Sequence, residues 1–206
     1  PCIKEDGSAL WEFKHTVDEL EDLKQINEVV FDRQYMQNPK PLAGILFPRN
    51  QLKTFELPDL NLDLVEAKNG FVDVADAGKD YHCLVIGLSV GKMIYIVDVV
   101  FTRENIDINF PLTIAMINQY KLEYCRCESN SAGAVYNRML AKDATVTSIL
   151  PIYQTANKAT RILTQSGFIK EYCLFRSDYE RGSDYAKFMD NLTSYLKQGG
   201  AANEND

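Results

Sequence analysis

The chain has 206 residues, 46% of them apolar and 11% aromatic, which suffices for one substantial packed domain plus an appendage and excludes a disordered chain. Its 22 basic and 29 acidic residues give a formal charge of −7, which argues against wholesale electrostatic capture of nucleic acid, so any phosphate-binding surface has to be local. No apolar run approaches the roughly 20 residues that cross a bilayer, and the opening PCIKEDGSALWEF lacks the basic-then-apolar layout of a signal peptide, so no membrane association and a cytoplasmic location are expected.

In chain order, Thr16 and Glu19 have capping-box spacing, and Leu20, Leu23, Val30 and Phe31 supply an apolar stripe, which together predict a helix from about Thr16 to Gln37. The proline-containing NPKPL and LFPRNQL and the acidic ELPDLNLDL then read as an extended connector rather than a core element, giving an arm or linker over residues 1–60. From Gly70 the pattern changes. FVDVAD, HCLVIGLSV and MIYIVDVVF are successive strand candidates rich in Val and Ile, and Gly91-Lys92 suits a hairpin turn, so an antiparallel meander is expected. A helix within Ile108–Tyr120, a strand over Glu123–Glu128, a helix over Ala132–Lys142 and a short strand around Val146–Leu150 follow. The tail adds helices over Asn157–Lys170 and about Ser183–Gln198, the latter with Phe188, Leu192 and Leu196 on one face. Strands first in a meander and then alternating with helices predict an α/β fold over residues 61–206. Its form is an RNase H-like mixed β-sheet with an antiparallel three-strand start, flanked by helices on both faces.

Acids punctuate this pattern at strand ends. The stretch FVDVADAGKDY carries Asp73, Asp76 and Asp80. Glu128 ends the apolar segment LEYCRCE and is followed directly by SNSAGAVYNRML, which reads as a cap and then a helix. Two strand-borne acids that met in space could share cations. A solvated turn would account for the aspartates equally, and a carboxylate at a helix N-terminus is favourable on its own, which would account for Glu128. Asp98, inside YIVDVV, is read as structural. Local positive charge is best sought in NKATR, with Lys158 and Arg161, and in Arg176, Arg181 and Lys187, although solvated helix faces also carry such residues. The five cysteines show no CxxC spacing and lie mostly in apolar segments, so buried thiols are expected rather than disulfides or zinc ligands. GLSVGK has glycine spacing too short for a phosphate loop and Met93 in place of the hydroxyl residue, and His15 and His82 lack ligand or triad spacing.

Taken together, the first-strand acid with its Gly-Lys-Asp-Tyr continuation, YIVDVVF, ESNSAG, NKATRI and the closing NLTSYLKQGG resemble the C-terminal nuclease region of the large subunit of a tailed-phage terminase. The opening DGSALWEF and FDRQYMQNP resemble the segment by which such proteins leave their ATPase domain. The resemblance covers nearly the whole chain. It implies that the arm over residues 1–60 follows an absent ATPase domain and that no ATPase activity resides in this chain.

The resemblance also implies an acidic triad. Asp73 matches its first-strand aspartate and Glu128 its acid before the SNSAG turn. The third acid belongs to a His-Asp-Asp motif near the C-terminus, where NEND puts Asn205 at the histidine position and Asp206 at the first aspartate, so the nuclease domain is expected to be truncated there. These three acids would hold two Mg²⁺ or Mn²⁺ ions about 3.5 to 4 Å apart and cut double-stranded concatemeric phage DNA during genome packaging. Mg²⁺ favours oxygen ligands, which carboxylates supply, and closely spaced carboxylates should be partly protonated without it. Lys158 and Arg161 would bind DNA. The implied partners are double-stranded DNA, the terminase small subunit and the portal protein, in the cytoplasm of a bacterial host cell. Two other readings stand beside this one: a catalytically silent RNase H-like module that binds DNA or packaging partners, and a resolvase- or transposase-like nuclease on the same fold.

Overall fold

The computed structural model describes residues 2–4, 7–26, 31, 35–36, 44–75, 80–130, 133–155 and 157–197. Seven strands form one sheet: β1 (Lys53–Phe55), β2 (Ala67–Asp73), β3 (His82–Val90), β4 (Met93–Thr102), β5 (Tyr124–Glu128), β6 (Ser148–Ile152) and β7 (Cys173–Arg176). The helices are α1 (Val17–Ile26), α2 (Ile106–Tyr120), α3 (Gly133–Asp143), α4 (Lys158–Tyr172) and α5 (Asp184–Ser194). Chain contacts divide residues 1–45 from residues 46–206 as two compact units.

In the first unit the backbone N–H of Thr16 donates to Glu19 Oε2 at 3.0 Å and that of Glu19 to Thr16 Oγ1 at 3.3 Å, the reciprocal cap expected for α1. Leu20 and Phe31 are buried together with Ala9, and Leu23 packs against them. The expected continuation of this helix to Gln37 falls largely outside the described residues, Val30 included, while Phe31 is helical.

The second unit grows from the meander. Gly91, at φ +56°, closes a two-residue turn between β3 and β4 in the left-handed region that glycine enters without strain. β2 pairs antiparallel with β3, and β3 with β4, as expected. One residue, Val97, is unpaired in β4 because the register shifts between Ile86 and Gly87, a β-bulge that lets β4 bury the consecutive Ile96 and Val97. The complete order is β1-β7-β4-β3-β2-β5-β6, and every neighbouring pair outside the meander is parallel.

Along β3 burial alternates, because successive side chains leave opposite faces of a strand. His82, Leu84, Ile86 and Leu88 face one layer. There Leu84 and Ile86 pack with Val72, Ile117 of α2 and Tyr136 and Leu140 of α3. Cys83 and Val85 face the other layer with Ile96, Val99, Phe101 and Phe175, covered by Tyr185 and Met189 of α5 and by Ile162 and Ile169 of α4. Helices therefore flank both faces. Each fully buried Leu or Ile in these layers stabilises the fold by about 1.5–3 kcal/mol relative to exposure.

Two expectations need correction. Residues 46–60, read as an extended connector, are built into the second unit: Leu46, Phe47 and Leu52 are buried against β4 and β7, Leu60 is buried against the opposite layer, and β1 is an edge strand on β7. Its prolines lie in short turns, Pro48 before one 3-10 turn and Pro58 within another, so they end local elements without detaching them. The tail, read as two helices, also contains β7, which inserts between β1 and β4. The strand expected around Val146–Leu150 lies two residues further on, at Ser148–Ile152.

Candidate acidic site at the C-terminal sheet edge

All strands except β3 point the same way, so the C-terminal ends of β2, β4, β5, β6 and β7 share one edge of the sheet. The N-termini of α2, α3, α4 and α5 begin at that edge, which is where ligands bind in open α/β sheets. Val72 of β2 pairs with Cys127 of β5, and both are fully buried; the residues that follow, Asp73 and Glu128, therefore leave the opposite face side by side. The two strand-end acids do meet. Burial, then the charge of Asp73, then a hydrogen bond with Asp73 hold the Glu128 carboxyl above its ordinary value, against the opposing pull of Arg161 and Lys158.

Lys158 Nζ donates to Asp73 Oδ2 at 3.4 Å, with the Lys158 side chain 69% and the Asp73 side chain 36% exposed. Lys158 reaches this position because it opens α4, whose start is fixed by Asn157: its Oδ1 accepts the N–H groups of Ala159 at 2.9 Å and Thr160 at 3.3 Å. Arg161 lies one turn along and acts on Glu128 from the same helix. Asp73, Glu128, Lys158 and Arg161 are thus gathered at one place.

Asn130, Asn137 and Gly133 fix the end of β5 at Glu128. Asn130 donates to Glu128 Oε1 at 3.1 Å and to the Gln154 carbonyl at 2.9 Å, tying the ends of β5 and β6. Asn137 of α3 donates to the Cys127 carbonyl at 3.1 Å and to Ser129 Oγ at 2.9 Å. Gly133 opens α3 so close to the strand that a Cβ there would lie 2.1 Å from the Glu128 carbonyl oxygen. Glycine is required at this turn for its missing side chain.

Asp206 and Asp76 lie outside the described residues. Asp80 is exposed beside Tyr81. Asp98 accepts its neighbour Val99's N–H at 2.9 Å and the Tyr120 hydroxyl at 3.2 Å, a structural use next to the bulge. Among the other cations, Arg176 donates to Asp178 Oδ1 at 2.9 Å and Lys187 to Asp184 Oδ1 at 3.1 Å, so both are held by acids. His82 is buried and bonds Thr113 Oγ1 at 2.8 Å; burial lowers it to about 4, so it is neutral. The described cysteines are free thiols, and burial pushes Cys83, Cys125 and Cys127 up to about 12.

Asp184 is the acid that reading the sequence missed. Asp73 pairs in register with Cys83, and Cys83 with Phe101, which makes one row on one face. Asp184 Oδ2 accepts the Phe101 N–H at 3.2 Å, and its charge and that of Asp73 both act on the Cys83 thiol. It therefore stands at the other end of the row that begins at Asp73. The signal in the sequence is ordinary, a serine cap followed by an acid in the first turn of α5.

Among the described residues no group of three His, Cys, Asp or Glu side chains is gathered tightly enough to hold a metal ion. The pair Asp73 and Glu128 still suits a hard divalent cation: both donors are carboxylate oxygens, and the proton favoured by their proximity is one a cation would displace.

Among solved structures, the manganese-soaked human cytomegalovirus terminase nuclease domain is similar at a TM-score of 0.52 and 9% identity, over 74% of this chain and 82% of that one. The inhibitor-bound form of that domain gives 0.47 and 11% over 70% and 82%. The nuclease domain of the large terminase subunit gp2 of bacterial virus Sf6 gives 0.46 and 9% over 63% and 72%. No protein-family model and no curated protein matches the chain. At this identity the likeness is one of fold: the chain is an RNase H-like α/β domain with the architecture of a terminase nuclease domain.

Proposed function

We propose that this chain is a metal-dependent endonuclease that hydrolyses phosphodiester bonds of double-stranded DNA, as in genome packaging by a terminase. The observation that carries the reading is the placement of Asp73 and Glu128 side by side at the C-terminal edge of the sheet, with Lys158 bonded to Asp73. Asp73 and Glu128 would hold Mg²⁺ or Mn²⁺, with Asp184 as the third acid in preference to Asp206. Two such ions, when bound, supply Lewis-acid activation of the phosphate and of the attacking water.

The chain's own residues supply the rest. Burial and the charge of Asp73 favour the protonated form of the Glu128 carboxyl, and a cation bound by both carboxylates would displace that proton. Lys158 donates to Asp73 and has further N–H donors to offer a non-bridging phosphate oxygen. Arg161, acting on the Glu128 carboxyl, offsets the charge that builds as a phosphate approaches two acids. The fixed N-terminus of α4 adds its dipole to both. These local cations are how a chain of charge −7 meets DNA. The expected partners, the terminase small subunit and the portal protein, belong to this same reading.

The test is nicking of supercoiled plasmid with Mn²⁺, with and without EDTA, comparing wild type with Asp73→Ala and Glu128→Ala. Cleavage that needs Mn²⁺ and vanishes in both variants supports the reading. Cleavage retained by Asp73→Ala overturns the site. DNA binding without any cleavage favours a silent binding module.

A further inference from the structure

One cation at this edge is left unused by the site described so far. Arg103 follows the last residue of β4, and its guanidinium carbon lies 4.1 Å from the centroid of the Tyr81 ring. Tyr81 in turn stacks on Phe101, with centroids 4.1 Å apart and planes at 11°, and Phe101 meets Phe188 of α5 edge-on at 5.9 Å. Phe101 belongs to the buried layer, so this column is anchored in the core and ends in an exposed charge. Among the described residues no carboxylate pairs with Arg103.

The column stands beside the acids. Phe101 and Cys83 share the row of Asp73, and His82 pairs with Thr102 in the next row, so Tyr81 and Arg103 occupy the row after it on the same face as Asp73. β4 is separated from β2 by β3 alone, which puts the base of the column about 10 Å from Asp73 across the sheet. Stacking engages only the flat face of a guanidinium. Its N–H donors stay in the plane and free, the geometry that matches two oxygens of one phosphate.

We propose that Arg103, held flat by Tyr81, is a backbone clamp that grips a DNA phosphate next to the one at the Asp73–Glu128 site. This rests on the nuclease reading above. The clamp sets the register of the strand across the acids, and it acts through a flat bidentate contact rather than as a point charge. Arg103 touches no reacting atom, so its role is positioning.

The experiment measures binding of fluorescein-labelled duplex DNA to the full chain by anisotropy, in EDTA to prevent cleavage, over a series of KCl concentrations. Plasmid nicking with Mn²⁺ is run in parallel, and thermal melts check folding. Arg103→Gln should bind more weakly, with the slope of log K against log[salt] reduced by about 0.9 for one lost phosphate contact. Arg103→Lys should keep the salt slope yet bind more weakly than wild type, because it keeps the charge and loses the flat fork. Arg103→Gln with wild-type affinity and slope overturns the clamp, and so does Arg103→Lys with wild-type affinity. If wild type nicks plasmid while Arg103→Gln binds like it, only the clamp fails. If wild type shows neither salt-dependent binding nor Mn²⁺-dependent nicking, the nuclease reading fails and the clamp falls with it.

Discussion

A Cβ on Gly133 would sit 2.1 Å from the carbonyl oxygen of Glu128, and the obstacle is backbone, which cannot rotate away as a side chain would. The first turn of α3 is therefore pressed against the end of β5 at the point where Glu128 leaves the strand. Gly133→Ala should push these two elements apart and lower stability by about 1–3 kcal/mol, the usual range for overpacking. Because the displaced atom belongs to Glu128, metal-dependent nicking should fall further than the fraction of folded protein does. Urea denaturation alongside plasmid nicking checks this; an unchanged denaturation midpoint would show that α3 is not seated on β5 in this way.

Lys158 and Asp73 separate function from stability. Their ion pair is largely solvent-exposed, and such pairs contribute about 0–1 kcal/mol. Lys158→Met should leave the melting temperature almost unchanged, because the methionine preserves the packing of the stem and Asn157 still caps α4. Nicking at saturating Mn²⁺ should nevertheless be lost. A variant with wild-type nicking would reduce Lys158 to a surface charge.

His82 gives the fold a pH limit. Its folded value is depressed from 6.5 to about 4 by burial, with the charge of Asp73 acting the other way. For a depressed histidine, stability is complete above pH 6.5, declines as pH falls because the unfolded chain takes up the proton first, and levels off below about 4. The full effect is on the order of 3 kcal/mol. His82→Gln should be less stable at pH 7 because the ring packs against Tyr136, yet its urea midpoint should fall less steeply between pH 6.5 and 4. Parallel slopes for the two proteins would mean that His82 is not held neutral.

How far the sequence disclosed this arrangement depends on where each element gets its stability. The meander was legible because β2, β3 and β4 carry their own signals: β-branched runs, alternation and a glycine turn. That Asp73 and Glu128 belong to one site was implied only by the family resemblance, while α3 was announced by its cap and α4 and α5 by their apolar spacing. β7 was not, since CLFR is four residues that follow α4 without a breaker and exist as a strand only by lying between β1 and β4. β1, three residues long, depends on β7 in turn. Such strands are a product of tertiary pairing, and local propensity does not mark them. Because β7 was missed, so was its consequence: a strand beside β4 delivers the start of α5, and with it Asp184, to the row of Asp73.

Asp184 is accordingly the residue on which the proposed site turns. Its carboxylate accepts the Phe101 N–H at 3.2 Å, and Lys187 holds its other oxygen at 3.1 Å. Asp184→Asn preserves an acceptor for Phe101 and a residue that tolerates the first turn of a helix, so folding should be retained within about 1 kcal/mol. What it removes is charge. If Asp184 completes the acidic site, Asp184→Asn should abolish Mn²⁺-dependent nicking, and Mn²⁺ should raise its melting temperature less than that of wild type. Asp206→Asn should behave as wild type in both measurements. The opposite pattern, an active Asp184→Asn and an inactive Asp206→Asn, would return the third acid to the end of the chain and leave Asp184 as the anchor that fastens α5 to the exposed edge of β4.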